Sequence, residues 1–408
     1  MALDESGLGR IIQFLLDPTR VNPHRILIIL GTRPEAVKLC PVIRYLRMNP
    51  DDFDVRVCVT AQHRDLLDQV LCVFGVRPDH DLNAMRPAQS LFASTSRILS
   101  GLEGVLAAER PHLVLVQGDT TTTLCGALAG FYARVPVAHV EAGLRTGDPG
   151  QPFPEEMNRL LVTRLAALHF AATPGAAENL AKEGVAPESV FVTGNTGIDA
   201  VLQVRDLLIK GELSSSRSWA HLNGSKKLIV VTAHRRESFG AGFERICEAL
   251  ARLAAREDVE IVYPVHPNPN VTEPARRYLS ALPNVHLTEP LDYVEFVDLM
   301  CRAYLLLTDS GGIQEEGPSL GKPILVLREK TERPEAVEAG TVRLVGSDTA
   351  RIVTEASRLL DDPEEYQRRA WIHNPYGDGR ASERIAEAIR QFLSKKSHVA
   401  RSANAMRG

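Results

Sequence analysis

The chain has 408 residues, a formal net charge of −4, 44% hydrophobic residues and 24% charged residues. This length suits two domains of about 200 residues each, and the apolar content excludes a disordered chain. The small net charge argues against a broad nucleic-acid surface, and 5% aromatic residues argue against a stacking platform for single strands. We therefore expect a globular protein with no nucleic-acid partner.

Six cysteines lie within apolar helix or strand patterns, and none forms a CxxC pair. This usage is typical of buried thiols in a reducing compartment. No window approaches the ~18 apolar residues of a membrane helix, and the apolar run 11–16 is too short for a signal peptide. The sequence therefore predicts a cytoplasmic protein without membrane insertion, with an N-terminal extension over residues 1–24.

Short apolar runs alternate with helical patterns along the first half of the chain. The helical patterns include residues 63–74 and 120–133. Six runs predict strands at 25–30, 55–60, 113–116, 135–140, 169–173 and 189–193. Near-continuous apolar strands separated by helices indicate a parallel sheet that is covered on both faces.

The same pattern restarts after the polar stretch 211–227. Further strands are predicted at 228–232, 259–265, 285–288, 304–308, 323–327 and 341–345, and a last helix at 381–393. The sequence thus predicts an α/β protein with two doubly wound, Rossmann-like domains whose strand ends face a central cleft. We expect these domains at 25–195 and 196–373, and a C-terminal helix and tail at 374–408 that pack back on the first domain.

The segment 31–38, GTRPEAVK, directly follows the first predicted strand. Its glycine allows a tight turn, and Pro34 suits the first turn of a helix. Arg33 and Lys38 would then flank a helix N-terminus, which is a natural site for an anion such as phosphate. The alternative is a solvated basic loop.

Three acidic residues lie at successive strand ends or at the start of the next helix. Asp119 follows Gly118, Glu141 ends the next strand, and Glu155 opens a helix on which Arg159 shares its face four residues later. A helix-cap partner and a surface ion pair are the simpler explanations for single members of this set. Convergence of all three on one cleft favours acid/base chemistry, because like charges and partial burial raise pKa values.

Two histidines lie at strand ends in the second half. His234 is followed by two arginines, which favours contact with an anion, and His266 lies in a proline-rich, rigid loop. The segment 308–316, TDSGGIQEE, is the most informative one, because its glycines permit close approach of a diphosphate to the backbone. Glu316, one turn later, can accept hydrogen bonds from ribose hydroxyls, and Arg333 adds a cation after the next strand.

Several familiar motifs are absent from the sequence. It contains no HExxH or HxxxH pattern, no GxSxG, no Walker A and no GxGxxG motif. These absences argue against a metal site, an α/β-hydrolase, a P-loop enzyme and a simple dehydrogenase.

From residue 25 to the last helix, the chain resembles the non-hydrolysing UDP-N-acetylglucosamine 2-epimerase family. The resemblance rests on long strings in a fixed order: GTRPEAVK, GDTTTT, HVEAGLRTGD, PEEMNR, HRRESFG, DSGGIQEE, GKPILVLR, TERPEAV and NPYGDG. It implies a glycosyltransferase B-type fold, a homodimer, and interconversion of UDP-GlcNAc and UDP-ManNAc without a metal or nicotinamide cofactor.

The resemblance also implies a mechanism, in which UDP leaves and C2 loses its proton to give 2-acetamidoglucal. A proton then returns to the opposite face of C2, and the C1–O bond to UDP forms again. The implied catalytic residues are Asp119, Glu141, Glu155 and His234. Cations for the leaving diphosphate would be Arg33, Lys38, Arg159, His234 and Arg333. The implied UDP-binding residues are Leu291, Phe296, Ser310, Gly311, Gly312 and Glu316, with Phe296 beside the uracil, although by itself Phe296 equally fits a core aromatic.

Bacterial members of this family bind a second UDP-GlcNAc as an activator. The matching residues here are Gln62, His63, Gln89, Arg235 and His266. Two departures from the family pattern, Ala88 and Pro267, make this site less well defined than the catalytic one.

Three other functions compete with epimerisation. A UDP-sugar-dependent glycosyltransferase would share the Ser-Gly-Gly segment and Glu316, and a hydrolysing epimerase would release UDP. A nucleotide-sugar sensor without turnover would need no acids in the cleft. The three carboxylates and the GDTTTT string favour epimerisation.

Overall fold

The computed structural model describes residues 23–60, 64–86 and 89–405. Two of the predicted activator residues, Gln62 and His63, lie outside the described residues, as do Ala88 and the extension up to residue 22.

Seven parallel strands form the first sheet, in the order β3-β2-β1-β4-β5-β6-β7. Their bounds are β1 His24–Leu30, β2 Phe53–Val59, β3 His80–Asp81, β4 Leu113–Gln117, β5 Val137–Ala142, β6 Leu168–Ala171 and β7 Val190–Val192. Six parallel strands form the second sheet, in the order β10-β9-β8-β11-β12-β13. They are β8 Lys227–Thr232, β9 Val259–Pro264, β10 Val285–Thr288, β11 Leu305–Thr308, β12 Ile324–Val326 and β13 Val342–Leu344.

Helices connect the strands and cover both faces of each sheet. Those of the first half are α1 Arg33–Arg47, α2 Arg64–Val73, α3 Leu91–Glu109, α4 Thr121–Tyr132, α5 Glu155–Leu165, α6 Pro174–Lys182 and α7 Thr196–Ile209. Those of the second half are α8 Ala241–Ala254, α9 Pro269–Leu279, α10 Tyr293–Arg302, α11 Gly311–Glu316, α12 Pro334–Ala339, α13 Thr349–Asp361, α14 Pro363–Ala370 and α15 Ala381–Ala405. Within the described residues, none of these helices is long and apolar enough to cross a membrane.

The predicted fold class, two doubly wound parallel sheets, is confirmed. The physical reason is visible in β1, where the five residues from Ile26 to Leu30 are all fully buried, as expected of a strand with helices on both faces. The last helix was predicted to end at residue 393, which is too early. It continues to Ala405, because residues 394–405 contain no glycine or proline to stop it.

Each sheet has one point at which the strand order reverses, and ligands of such sheets bind at the carboxyl ends of the two strands that flank it. In the first sheet these strands are β1 and β4, and in the second they are β8 and β11. The four segments that follow them contain Arg33, Asp119, His234 and Ser310. The fold therefore places the most informative sequence motifs at the two positions where a ligand site is expected.

Two helices join the parts of the chain. Helix α7 packs against α1 and α10, and the long α15 packs against both α1 and α7. The buried Asp199 of α7 accepts hydrogen bonds from the backbone N–H groups of Ala381 (3.2 Å) and Ser382 (2.8 Å) at the start of α15. This contact satisfies the first N–H groups of α15, which have no partner within the helix.

Candidate active site

The loop after β1 is held rigidly by a buried glutamate. Glu35 accepts hydrogen bonds from the backbone N–H of Gly31 (2.9 Å) and Thr32 (2.7 Å) and from the Thr120 hydroxyl (2.7 Å). Thr32 caps α1 in return, which completes a capping box. This framework fixes the first turns of α1, from which the Arg33 and Lys38 side chains project.

Gly31 is required at the start of this loop because it is closely packed. An added Cβ would lie 2.1 Å from Thr60 Oγ1 and 2.4 Å from Thr122 Oγ1, which is far closer than van der Waals contact. These two buried hydroxyls are 2.8 Å apart and form a hydrogen bond that links β2 to α4.

Glu141 lies at a bulge in β5, where the pairing with β6 shifts register. Its φ of 65° is in the left-handed region, which is strained for a residue with a side chain and occurs most often at functional sites. A bulge can redirect a side chain away from the sheet. Here the carboxylate is bonded at both oxygens: Lys38 contacts Oε1, and Gln117 Nε2 donates to Oε2 at 2.5 Å.

The Lys38–Glu141 contact determines the protonation state of Glu141. Burial by itself would raise the pKa of this carboxyl, but the adjacent Lys38 ammonium, with further help from Arg333 and Arg159, lowers the pKa below its ordinary value of 4.5. The pKa of Lys38 is raised, because the attraction of Glu141 and Glu315 exceeds the effect of burial. Glu141 is therefore ionised at neutral pH, as a general base must be.

Asp119 forms an ion pair with Arg159. Both Nε (2.9 Å) and Nη2 (2.6 Å) of Arg159 donate to Asp119 Oδ2, and Asn158 Nδ2 donates to the Asp119 carbonyl at 2.8 Å. Helix α5 thus fixes the turn after β4 through two adjacent side chains. The Asp119 side chain remains 27% exposed, so it is accessible to a ligand.

In the structure, Arg159 pairs with Glu156 rather than with Glu155. Arg159 Nη1 contacts Glu156 Oε2 at 2.8 Å, and the buried Glu156 also accepts the backbone N–H of Thr146 at 3.0 Å. Among the described residues Glu155 makes no side-chain hydrogen bond or ion pair and is partly exposed. The simpler explanation of a surface ion pair between Glu155 and Arg159 is therefore wrong, because Asp119 and Glu156 bind the Arg159 guanidinium instead.

On the opposite side of the cleft, His234 follows β8 in a loop anchored to the buried Asp309. The N–H groups of His234 (2.6 Å) and Arg235 (2.7 Å) both donate to Asp309 Oδ2. The imidazole of His234 stacks on that of His266, with ring centroids 5.4 Å apart and planes 18° apart. Burial lowers the pKa of His234, and His266 and Arg235 lower it further, whereas Asp309 opposes this decrease.

Arg333 lies beside the Ser-Gly-Gly segment. Its guanidinium contacts Glu315 and lies 3.7 Å from where a Cβ of Gly311 would be. Asn195 Nδ2 donates to the other oxygen of Glu315 at 2.7 Å. The pKa of Arg333 is raised, because attraction to Glu315 and Glu141 exceeds the effect of burial.

Glu316 has a strongly perturbed pKa. Burial and the neighbouring Glu315 raise the pKa of Glu316 to about 8, although Lys38 and Arg33 act in the opposite direction. Part of the side-chain surface remains exposed, so a ligand can reach it. A carboxyl group with a strongly shifted pKa in a cleft is a candidate for a functional role.

The remaining predicted nucleotide residues surround this position. Leu291 and Phe296 are partly buried against the core, so the structure agrees in part with the simpler interpretation of Phe296 as a core aromatic. The Ser310 N–H donates to Thr308 Oγ1 at 2.9 Å. A Cβ at Gly312 would meet only Glu316 and Ser310, at 3.9 and 4.0 Å, so there is space above this glycine.

Two adjoining cavities connect the sides of the cleft. The smaller, of about 240 Å³, is lined by Glu141, Glu315, Arg333 and Tyr376 among others. The larger, of about 820 Å³, is lined by four arginines, Arg145, Arg159, Arg235 and Arg333, and by two carboxylates, those of Asp148 and Glu332. The cleft therefore combines a cationic entrance with carboxylates at its base.

Two further predicted activator residues, His266 and Gln89, are among the described residues. His266 is exposed beside His234, and Gln89 accepts a hydrogen bond from Arg97 at 2.5 Å. Among the described residues, no group of three His, Cys, Asp or Glu side chains is placed to hold a metal ion.

Several site residues were missed by sequence reasoning. They are partners that support the predicted residues: Gln117 binds Glu141, Asp309 binds the His234 loop, Glu315 binds Arg333, Asn195 binds Glu315, and Glu156 binds Arg159. Gln117 could have been found, because it is the only polar residue in the otherwise apolar strand β4. Asp309 has no comparable signal, because an aspartate between a strand and a helix also fits a helix cap.

Comparison with known proteins gives a consistent result. The family model described as UDP-N-acetylglucosamine 2-epimerase matches residues 46–390. UDP-N-acetylglucosamine 2-epimerase of Escherichia coli strain K12 is 56% identical over 370 residues, covering 90% of this chain and 98% of that protein. The enzyme of the same name from Salmonella typhimurium is 55% identical over 372 residues, covering 90% and 99%. The crystal structure of UDP-GlcNAc 2-epimerase from Neisseria meningitidis bound to UDP-GlcNAc has a TM-score of 0.80 and 47% identity, covering 90% of this chain and all of that one.

Proposed function

The chain belongs to the UDP-N-acetylglucosamine 2-epimerase family, and from this premise we propose that its cleft interconverts UDP-GlcNAc and UDP-ManNAc by inverting the configuration at C2. The observation that carries the proposal is a cleft with Asp119 and the ionised Glu141 on one side and Arg333, Gly311 and Gly312 on the other. This arrangement can hold a sugar beside carboxylates while cations and backbone groups hold its diphosphate.

The reaction proceeds through elimination and re-addition. A proton on C2 of the sugar is weakly acidic, since no carbonyl is adjacent, but it becomes more acidic as the C1–O bond to UDP breaks. The C1–O electron pair leaves with the diphosphate, a base takes the C2 proton, and the C1–C2 double bond of 2-acetamidoglucal forms. Return of a proton to the opposite face and reattack by UDP give the epimer, so no oxidant or reductant is consumed.

Stabilisation of the leaving UDP is assigned to the cations of the cleft. Arg33, Lys38, Arg159 and Arg333, with His234, are the groups available to the diphosphate. Preorganised charges aimed at a developing anion contribute strongly in a site from which water is excluded. The larger cavity, in which arginines predominate, supports this assignment.

Proton transfer at C2 is assigned to the carboxylates Asp119, Glu141 and Glu155. Glu141 suits the base, because Lys38 and Gln117 bind both of its oxygens and keep it ionised. Glu155 has no described side-chain partner that would compete with a substrate. Two groups on opposite faces of C2 are needed, since the proton leaves one face and returns to the other.

The nucleoside is assigned to Glu316, Phe296, Leu291 and Ser310. Ribose hydroxyls donate to carboxylates, and Glu316 lies beside the open space above Gly312. Phe296 and Leu291 are partly exposed apolar side chains on the same side of the cleft, where a uracil ring can be covered.

The test is to incubate the purified protein with UDP-GlcNAc alone and follow the products by proton NMR. Epimerisation gives UDP-ManNAc at a constant sum of the two UDP-sugars, with no stoichiometric UDP. Accumulation of UDP with free ManNAc indicates the hydrolysing reaction, and turnover that requires an added acceptor indicates a glycosyltransferase. The absence of turnover combined with tight UDP-GlcNAc binding indicates a sensor.

A homodimer is proposed for the assembly. The surface formed by α3 and α4 carries a groove of about 810 Å³, lined by Leu99, Leu106 and Tyr132 among others. Phe131 and Tyr132 on the same surface are 59% and 67% exposed. Exposed apolar patches of this kind mark interaction sites. Analytical ultracentrifugation tests the proposal, with Tyr132→Glu expected to give monomers.

A second UDP-GlcNAc is proposed as an activator beside the catalytic one. Arg235 lines the larger cavity, and the exposed His266 stacks on His234, so a second ligand there would contact the catalytic loop. Sigmoidal dependence of the rate on UDP-GlcNAc tests this proposal, and Arg235→Gln should weaken the cooperativity. We also place the enzyme in the cytoplasm, in keeping with the buried thiols of Cys40, Cys58, Cys125 and Cys247.

A further inference from the structure

Asp309 is a buried carboxylate of the cleft that the proposed mechanism does not use. Its side chain is 1% exposed. The aspartate follows β11 directly and precedes Ser310, the first residue of the proposed diphosphate segment. A buried carboxylate requires hydrogen bonds or a nearby positive charge to offset its loss of hydration.

The two oxygens of Asp309 have different surroundings. Oδ2 accepts two backbone N–H groups, those of His234 and Arg235, at 2.6 and 2.7 Å. Oδ1 is buried and has no hydrogen-bond partner. The ring nitrogen Nδ1 of His234 lies 3.7 Å from Oδ1, which is too long for a hydrogen bond but close enough for a charge contact when the ring is protonated.

The loop that carries His234 is fastened at two further points. The Tyr263 hydroxyl donates to the Ala233 carbonyl at 2.5 Å, and Arg328 Nε donates to Glu237 Oε1 at 2.5 Å. The backbone on both sides of His234 is therefore fixed, and the remaining freedom lies in the imidazole, whose side chain is 42% exposed. A small rotation of the ring that moves Nδ1 closer to Oδ1 would form the missing hydrogen bond.

We propose that Asp309 is a positioning residue for His234: it binds the loop through Oδ2 and, once a UDP-sugar is bound, accepts a hydrogen bond from His234 Nδ1–H through Oδ1, which directs Nε2 at the diphosphate. The proposal rests on the assignment of His234 to the diphosphate. Catalytic hydrogen bonds are often long in a protein without its substrate and shorten in the complex, which accounts for the 3.7 Å separation.

The charge of Asp309 has a second effect on the same ring. The groups that face His234 are Asp309 after β11, His266 after β9, and Arg235 in its own loop. Of these, only Asp309 favours the imidazolium ion, whereas burial, His266 and Arg235 disfavour it. Asp309 therefore keeps the ring able to carry the positive charge that a departing diphosphate requires.

The experiment compares Asp309→Asn with Asp199→Asn. The asparagine at position 309 can still accept the two backbone N–H groups through its amide oxygen but has no charge. Asp199 is a matched control, because it is a buried aspartate that also accepts two backbone N–H groups and lies at the α7–α15 contact, where no histidine is among its partners. Thermal melting of both variants shows whether either substitution lowers the stability of the fold.

The first readout is NMR of the histidine rings, with the His234 signal assigned by its absence in His234→Ala. In Asp309→Asn the pKa of His234 should fall by about one unit or more, and in Asp199→Asn it should not change. In the wild-type enzyme with UDP bound, His234 should carry protons on both Nδ1 and Nε2, so that it donates to Asp309 and to the diphosphate. An unchanged pKa in Asp309→Asn, or a ring without a proton on Nδ1 in that complex, would overturn the proposal.

The second readout is a double-mutant cycle on the turnover number. Asp309→Asn should lower kcat about tenfold or more in the wild-type background but by no more than about twofold in the His234→Ala background. Equal losses in both backgrounds would mean that Asp309 does not act through His234. If His234→Ala retains wild-type kcat, the assigned role of His234 fails instead, and the NMR readout still tests the Asp309–His234 pairing separately.

Discussion

Replacing Lys38 with methionine tests whether this lysine controls the ionisation of Glu141. The two side chains are in contact and only 18% and 16% exposed. At about 4 Å and an effective dielectric constant of about 20, such a pair is worth about 4 kcal/mol, or about three pKa units at 1.36 kcal/mol each. Relaxation and residual solvent reduce this value, so we expect the pKa of Glu141 to rise by about one to three units.

The sign of the effect follows from the remaining groups. Lys38 holds the pKa of Glu141 below 4.5 against the effect of burial, so without Lys38 burial dominates and the pKa rises above 4.5. In the wild-type enzyme this pairing stabilises the fold above pH 4.5, and the stabilisation is lost as the pH falls through the lowered pKa. In Lys38→Met this acid-sensitive part of the stability should disappear.

The assay is the pH profile of kcat/KM for epimerisation. In Lys38→Met the acid limb should move to higher pH, whatever happens to the maximal rate. Arg33→Met is the matched control: it removes a cation from the first turn of the same helix, and no described hydrogen bond joins Arg33 to a carboxylate. It should lower the rate without moving the limb. An acid limb that stays at the same pH in Lys38→Met would refute the role of this lysine.

Three further predictions concern other parts of the cleft. Asp119→Asn and Glu141→Gln should each lower kcat by about 10²–10⁴-fold with UDP affinity unchanged or slightly higher; near-normal kcat in both would shift the base to another residue. Glu316→Gln should weaken UDP binding, measured by calorimetry. It should also remove a pH effect in thermal melts: the unliganded wild-type protein should lose stability as the pH rises towards about 8, because Glu316 favours the fold only while it is protonated. An equal loss in the variant would contradict the raised pKa. Gly31→Ala should lower the melting temperature, because its Cβ would lie 2.1 Å from Thr60 Oγ1; an unchanged melting temperature would show that the loop relaxes without cost.

The sequence predicted which segments lie near one another, because a parallel sheet places the carboxyl ends of all its strands at the same edge. Segments that follow β1, β4, β8 and β11 had to lie near the two reversal points once the sheets were recognised. Lys38, in the segment after β1, contacts Glu141 of β5, and Arg333, after β12, lines the same cavity as Glu141.

The side-chain pairings could not be predicted from sequence. Lys38 and Glu141 are 103 residues apart in the sequence. Their contact depends on a bulge in β5 that no residue pattern in this strand predicts. Helix spacing placed Arg159 on the same face as Glu155, but in the structure its guanidinium binds the carboxylate of Asp119, 40 residues away. Spacing rules describe neighbours on one element, whereas these pairs join different elements.

The buried supporting residues were missed for a related reason. In the sequence, Asp309 belongs to a glycine-rich turn. In the structure, its hydrogen-bond partners are backbone N–H groups of a loop 75 residues earlier. Nothing in its local sequence distinguishes it from a helix cap. Its role becomes visible only when one of its oxygens is found buried without a hydrogen bond.

The central claim is that carboxylates of this cleft remove the proton from C2 and return one to the opposite face, and the most direct test is solvent exchange at that carbon. The enzyme is incubated with UDP-GlcNAc in D₂O, and both UDP-sugars are recovered and analysed by mass spectrometry and NMR. The account predicts one deuterium at C2 of UDP-ManNAc and of recovered UDP-GlcNAc, and no exchange with Glu141→Gln if Glu141 is the base. Interconversion in which C2 keeps its original hydrogen in both sugars would contradict the account.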